Sequence, residues 1–118
     1  RGFNAWRYGT EPIHQAQLVS PGTPVSDSFQ VTDENWYYVN VPANGAIITA
    51  YTEGTIDTVI TVYDANGTAL EEDDDSGNDY NARITVVSAG GMLYVKVKAY
   101  YGGQGTTTYQ FYTVVEAL

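Results

Sequence analysis

The sequence predicts an all-β protein, an antiparallel jelly-roll-like β-sandwich of about 7–9 strands preceded by an extended N-terminal arm. Three features support this fold class. Apolar and polar residues alternate in short runs from residue 35 onward, and residues that favour strands are abundant, including 11 Tyr among 118 residues. Gly, Pro, Asn and Asp separate the runs, as is typical of turns. No segment of the sequence shows convincing helical periodicity.

Six runs carry the strand pattern most clearly. In the run at 93–99, apolar residues at odd positions alternate with Tyr and Lys at even positions, which predicts a strand with one buried and one solvated face. We also expect Tyr37, Tyr63 and Tyr109 to lie on buried faces. The six predicted strands cover residues 37–41, 47–51, 58–63, 83–87, 93–99 and 109–115.

Turn sequences divide these runs. Residues 42–45 and 64–67 both end in Asn-Gly, and the second tetrad is placed for a tight hairpin. The pair Gly90 and Gly91 interrupts the chain again, as does the glycine-rich segment 102–105. Short strands spaced roughly ten residues apart with turns between them favour a sandwich.

The first ten residues differ in character from the rest of the chain. They include three large aromatic side chains, Phe3, Trp6 and Tyr8, ahead of the strand pattern. We therefore predict an extended aromatic arm at residues 1–10 and a β-sandwich domain at residues 11–118. We expect the three aromatic residues to contact a neighbouring subunit. The alternative is that the arm folds back on its own domain.

Charge and composition exclude several classes of protein. A net charge of −9 excludes a typical nucleic-acid binder, which needs a basic surface, and it disfavours binding to anionic lipid. No stretch approaches the roughly 20 apolar residues that span a bilayer as a helix. The absence of cysteine removes disulfides, zinc–thiolate sites and a cysteine nucleophile.

Catalysis has little support in the sequence. The only histidine is His14, and neither a Gly-x-Ser-x-Gly motif nor a His-Glu-x-x-His motif occurs. Carboxylates crowded on one flexible loop have poor geometry for acid–base chemistry. We therefore predict that the protein is not an enzyme and requires no cofactor.

The densest polar cluster in the sequence is an acidic segment at residues 71–79, which holds six carboxylates. Calcium binds about six to eight oxygen atoms, and a flexible acidic loop can supply them. The alternative is a solvated loop whose aspartates cap backbone N–H groups. The candidate calcium ligands are Asp73, Asp74, Asp75 and Asp79.

Two further polar residues have predicted roles near this segment. Arg83 begins an apolar run in a chain with only five basic residues, and we expect it to form a structural ion pair with Asp57, Asp74 or Asp75. Asn66 begins an Asn-Gly-Thr sequence on a turn, which matches an N-glycosylation acceptor.

Tyrosines outside the predicted core are candidates for ligand binding. Exposed tyrosines stack on sugars and anchor protein interfaces, whereas the alternative role is cross-strand packing within the sheet. The candidate surface-binding residues are Tyr94, Tyr100, Tyr101 and Tyr112.

Seven short landmarks occur in order over most of the chain. They are the segments 11–18, 21–26, 33–45, 56–59, 62–67, 73–84 (an acidic stretch followed by Asn-Ala-Arg-Ile) and 91–97, and a final strand follows at 109–111. In this order the landmarks resemble the bacterial pre-peptidase C-terminal (PPC) family, which is related to the collagen-binding modules of secreted bacterial collagenases. The resemblance covers residues 11–115.

The resemblance implies a secreted, non-catalytic module with a jelly-roll-like β-sandwich fold. Some family members hold calcium in an N-terminal lead-in, but here that segment keeps only Glu11, with Pro12 and His14 where further ligands would be needed. The chain begins at Arg1 without an initiator Met, which fits either a processed exported protein or a trimmed fragment.

Two functions fit these observations. The first is a structural or adhesive extracellular protein at the cell surface, which self-associates as a homo-oligomer or filament through the N-terminal arm. The second is a targeting module of a secreted hydrolase, which binds a polysaccharide or a collagen-like fibre.

Overall fold

The chain folds as two packed β-sheets in a computed structural model that describes residues 16–30, 33–74, 77 and 80–118. Nine strands and no helix occur in these residues, so the predicted all-β sandwich is confirmed. Residues 1–15 lie outside the described residues, and the predicted arm with Phe3, Trp6 and Tyr8 is among them.

All six predicted runs lie in strands, and three more strands occur. The strands are β1 (Gln17–Leu18), β2 (Val25–Ser28), β3 (Glu34–Val41), β4 (Ala46–Gly54), β5 (Thr58–Tyr63), β6 (Ala69–Asp73), β7 (Arg83–Ser88), β8 (Gly91–Ala99) and β9 (Thr108–Ala117). The additional strands, β1, β2 and β6, are the short ones. They lack the long alternation that identifies the others.

The strand order places four strands at sheet edges. One sheet has the order β1-β3-β8-β5-β6, and the other has the order β2-β9-β4-β7. Neighbouring strands are antiparallel except for the two-residue pairing of β1 with β3, which is parallel. The edge strands β6 and β7 belong to different sheets and lie on the same side of the sandwich.

The inner faces of both sheets form one core, and the pleat of the strands selects its members. The odd residues of β8, from Leu93 to Ala99, are buried, whereas its even residues are half-buried or exposed, as predicted. The largest fully buried side chains are Tyr37, Tyr109, Phe111, Ile48, Ile56 and Ile60.

A polar network crosses the core between the two sheets. The hydroxyl oxygens of Tyr37 and Tyr109 lie 2.6 Å apart, and the Tyr37 hydroxyl donates to Asp27 Oδ2 at 2.8 Å. Asn35 Nδ2 donates to the Tyr109 hydroxyl at 2.8 Å and to the Ser28 carbonyl at 2.9 Å. These hydrogen bonds join β3 to β2 and β9. Each buried tyrosine hydroxyl therefore has hydrogen-bond partners.

The Asp64–Gly67 turn forms the predicted hairpin between β5 and β6. Asp64 Oδ1 accepts hydrogen bonds from the backbone N–H groups of Asn66 and Thr68 at 2.9 and 3.0 Å. Gly67 has a φ of 87°, which glycine adopts without strain. The turn brings the acidic residues of β6 back against β5.

Candidate binding surfaces

The outer face of the five-stranded sheet carries a cluster of aromatic side chains. Even residues of β3 and β8 and odd residues of β5 point outward, and the registers align Tyr38 with Tyr94 and Tyr94 with Tyr63. Trp36 lies opposite Lys96 in the next row. We call this half-buried surface the aromatic patch; it consists of Trp36, Tyr38, Tyr63, Tyr94 and Lys96.

The rings of the aromatic patch pack in two pairs, and a lysine lies near one of them. The ring centroids of Trp36 and Tyr63 are 5.2 Å apart, and those of Tyr38 and Tyr94 are 6.1 Å apart. Lys96 Nζ lies 5.8 Å from the Trp36 centroid and 5.9 Å from that of Tyr63, within the range of cation–π attraction. Trp36 Nε1 donates to Glu34 Oε1 at 2.7 Å, which fixes the indole.

This geometry suits contact with a ligand that has flat, partly apolar faces. Rings held by their neighbours lose little side-chain entropy on binding, and tyrosine hydroxyls and lysine ammonium groups supply hydrogen-bond donors. Both lysines of the chain, Lys96 and Lys98, lie on this outer face. The surface therefore differs in charge from the strongly acidic remainder of the molecule.

The four tyrosines predicted to bind ligands lie in three separate places. Tyr94 belongs to the aromatic patch, while Tyr112 stacks on Tyr51 on the outer face of the other sheet, with centroids 4.7 Å apart. Tyr100 and Tyr101 follow β8, are 54% and 64% exposed, and meet edge to face. Only Tyr94 therefore lies in an aromatic cluster of several strands.

The sequence did not predict the other members of the aromatic patch. Tyr63 was expected to be buried but is half-buried on the outer face. Like Thr61, it is an odd-numbered residue of β5, and these residues point outward. Trp36 and Tyr38 flank the buried Tyr37. Because neighbouring residues of a strand point to opposite faces, the predicted burial of Tyr37 also indicates that Trp36 and Tyr38 point outward.

Arg83 contacts an aromatic ring through its guanidinium and an aspartate through its backbone, while its predicted ion pair stays a prediction. Its guanidinium lies 4.9 Å from the Tyr51 ring centroid, because β4 and β7 pair with Tyr51 opposite Arg83. Its backbone N–H donates to Asp73 Oδ2 at 2.9 Å. Asp57 lies between β4 and β5, where its carbonyl accepts from the Tyr100 N–H. Asp75 lies outside the described residues.

The acidic segment begins as a strand, which corrects the expectation of a loop throughout residues 71–79. Glu71, Glu72 and Asp73 belong to β6 because they pair with β5, and Thr61 Oγ1 donates to Glu72 Oε1 at 3.2 Å. Asp74 follows the strand. Asp75 and Asp79, the other candidate calcium ligands, lie outside the described residues. Within the described part of the chain, no three acidic or histidine side chains converge on a metal position.

Asn66 lies on the exposed turn between β5 and β6, where an acceptor of glycans would be accessible. Glycosylation at this asparagine stays a prediction.

No helix in the described ranges has the length and apolar character to cross a membrane.

The β7 strand forms an open edge of the four-stranded sheet. Its pairing partner among the described strands is β4. Because the Thr52 N–H donates to the Ala82 carbonyl, the alternation of an antiparallel ladder turns the backbone groups of Thr85 and Val87 away from β4. Val87 is 68% exposed, and Thr85 is also exposed. Neither proline nor lysine interrupts this edge.

A cleft of about 340 Å³ lies beside this edge. It is bounded by the turn after β5 and the turn after β7, and apolar atoms of Leu70, Val87 and Leu93 line it. Leu70 is 43% exposed on β6, so the cleft opens where the two sheets end. Among the residues that the structure describes, the side of the sandwich between β6 and β7 thus offers both unpaired backbone and apolar surface.

Comparison with known proteins identifies the fold. No protein-family model matches the chain, and no curated protein matches it. Among solved structures, the chain is similar to the pre-peptidase C-terminal domain of a collagenase from Bacillus anthracis, with a TM-score of 0.67 at 17% identity over 83% of this chain and 93% of that one. The fold is that of a PPC domain. This confirms the resemblance noted in the sequence.

A second solved structure shares the PPC-like architecture. The chain is similar to PliG from Aeromonas hydrophila, a periplasmic inhibitor of g-type lysozyme, with a TM-score of 0.60 at 12% identity. The match covers 86% of this chain and 96% of that one. At such identities the two similarities establish the shared fold.

Proposed function

We propose that this PPC-like chain is a non-catalytic extracellular or periplasmic protein that self-associates, with its N-terminal arm binding to a sheet edge of a neighbouring subunit. The observation that carries the proposal is the open β7 edge, where Thr85 and Val87 direct backbone groups away from the sheet. Such an edge accepts an additional strand, since main-chain hydrogen bonds supply affinity without a specific side-chain pocket.

The sequence of the arm supports a role as the added strand. Phe3, Trp6 and Tyr8 are the kind of large side chains that anchor interfaces. An arm and an edge are different surfaces of one molecule, so each subunit both donates and accepts. Head-to-tail repetition of such a contact builds a filament unless it closes into a ring.

The location of the protein is part of the proposal. The acidic surface and the fold shared with a collagenase domain and a periplasmic inhibitor support an exported protein. Adhesive and structural proteins act through binding surfaces and sheet edges. The sandwich has both, in the aromatic patch and the β7 edge.

The decisive experiment compares the full chain with a variant that lacks residues 1–8. Light scattering after size exclusion and negative-stain microscopy should show oligomers or filaments for the full chain and monomers for the truncated one. A variant with Phe3, Trp6 and Tyr8 all replaced by Ser keeps the chain length and should also be monomeric, because it lacks the aromatic anchors. A full chain that stays monomeric at high concentration would contradict the proposal.

A second candidate function is a targeting module for a polysaccharide or a collagen-like fibre. The aromatic patch favours it, because its four rings, two of them within reach of Lys96 Nζ, form a surface on which sugars or a fibrous peptide can stack. Pull-down with insoluble polysaccharides and with collagen fibres tests this function. Trp36→Ala and Tyr94→Ala should reduce retention, whereas Tyr112→Ala on the opposite sheet should not.

A further inference from the structure

Charge is distributed unevenly between the N-terminal arm and the rest of the chain. The first ten residues hold Arg1 and Arg7 and no acidic residue. The remaining residues hold only three basic side chains against all 14 acidic ones. A basic aromatic segment is therefore joined to a strongly acidic domain, and the two are electrostatically complementary.

The open side of the sandwich concentrates acidic groups. Glu71 pairs with Val62 and Asp73 pairs with Ile60, and both of these β5 residues point into the core. Glu71 and Asp73 therefore project from the side of β6 that faces the other sheet. The bond from the Arg83 N–H to Asp73 Oδ2 confirms that this side of β6 reaches β7.

The same side also offers apolar surface, together with backbone groups that no described strand pairs. Leu70 and Val87 are both exposed at the cleft between β6 and β7. Arg83 contacts Asp73 through its backbone N–H. Thr85 and Val87 follow it along β7, and their backbone groups also point away from β4. A partner that fits here needs an extended backbone, large apolar side chains and positive charge.

The arm sequence supplies the large apolar side chains and the positive charge, and the arm is predicted to be extended. An extended strand turns successive side chains to opposite sides, so Trp6 and Tyr8 would share one side and Arg7 would lie on the other. We propose that residues 1–10 of a second copy of this chain bind between β6 and β7, adding a strand to β7 with Arg7 facing the carboxylates of β6. This inference rests on the proposed self-association and names its acceptor surface.

Charge exchange tests the proposed acceptor in the full chain. Glu71→Lys should weaken self-association about tenfold, because it sets like charges against Arg7. Glu116→Lys makes the same change in net charge on an exposed strand residue of β9 and should leave association nearly unchanged. Combining Glu71→Lys with Arg7→Glu should restore association. Equal effects of the Glu71 and Glu116 variants would show that net charge alone acts.

A backbone substitution tests strand addition separately. Thr85→Pro removes an N–H that points away from β4, so it should block an added strand while keeping the ladder to β4. Thr85→Ala keeps the N–H and should assemble normally. Circular dichroism and thermal melting should show that both variants are folded. If arm deletion abolishes assembly but neither Glu71→Lys nor Thr85→Pro weakens it, the acceptor lies elsewhere and the proposed self-association stands.

Discussion

The hydroxyl oxygens of Tyr37 and Tyr109 lie 2.6 Å apart in the core, although the two residues belong to different sheets. Both side chains are essentially inaccessible to water. Their rings also stack on core neighbours, Tyr37 on Phe111 at 4.4 Å and Tyr109 on Phe29 at 4.9 Å between centroids. The pair therefore joins the sheets by a polar contact enclosed in apolar packing, and its loss has measurable consequences.

Replacement of Tyr37 by Phe should lower the free energy of unfolding by roughly 1–3 kcal/mol. The change keeps the ring but removes the hydroxyl that donates to Asp27 Oδ2 and contacts Tyr109, so buried polar atoms lose a partner. Urea denaturation followed by fluorescence measures the effect. Tyr101→Phe, at a tyrosine that is 64% exposed, should change stability by less than about 0.5 kcal/mol. Equal stability of the two variants would contradict the prediction.

Stability should fall steeply in alkaline solution. Burial, together with the neighbouring tyrosine hydroxyl and the Asp27 carboxylate, raises the pKa of Tyr37 far above its ordinary value of 10.0, and burial also raises the pKa of Tyr109. Above about pH 10 the unfolded chain loses these protons while the folded chain keeps them, so the unfolded state binds fewer protons. Each tyrosine then lowers the free energy of unfolding by about 1.4 kcal/mol per pH unit.

Urea midpoints measured between about pH 8 and 11 test this dependence. The contribution of the two tyrosines is fully present below their unfolded pKa, so midpoints should change little from this cause until about pH 10. The double variant Tyr37→Phe/Tyr109→Phe should show a shallower decline above that pH. A wild-type midpoint that is constant up to pH 11 would be inconsistent with phenols that stay protonated in the fold.

The sequence predicted the strands that alternate over many residues and missed those that form through tertiary pairing. The odd positions of β8 are buried because one face of the strand meets the core, and this pattern is visible locally. The β6 strand consists of Ala, Leu and acidic residues without alternation. It is a strand because the Asp64–Gly67 turn returns it to β5, and turn chemistry alone does not fix how far the pairing continues.

The binding surfaces depend on strand order, which no local pattern contains. The aromatic patch forms because β8 lies between β3 and β5, so Trp36 meets Tyr63 from a distant part of the chain. Arg83 has Tyr51 as its neighbour because of the register between β4 and β7. The contact with Tyr51 could not be predicted, because local sequence does not contain the register between the two strands.

The contact between Arg83 and Tyr51 should contribute a coupling free energy of about 0.5–1 kcal/mol. The guanidinium lies 4.9 Å from the ring centroid on an outer face, and Tyr51 stacks in turn on Tyr112. A double-mutant cycle with Arg83→Met and Tyr51→Leu measures this coupling by urea denaturation. A cycle of Arg83→Met with Tyr101→Phe supplies the uncoupled reference. Additive effects in both cycles would show that the contact does not stabilise the fold.

Two glycines with left-handed backbone allow a steric contact to be separated from conformational strain. Gly22 and Gly45 have φ values of 87° and 92°, and each N–H donates to a backbone carbonyl. A Cβ added at Gly22 would meet no atom within 4 Å, whereas one at Gly45 would lie 2.8 Å from the Ser88 carbonyl oxygen. The two sites thus differ chiefly in the space available.

Gly22→Ala should therefore cost about 1 kcal/mol of folding free energy, because alanine is disfavoured at positive φ. Gly45→Ala should cost about 1–3 kcal/mol more, because the Ser88 carbonyl belongs to β7 and must shift out of the end of its pairing with β4. Thermal and urea denaturation of the two variants give the difference directly. Equal losses would mean that the turn before β4 relaxes freely, and the tight approach between Gly45 and Ser88 would then have no energetic role.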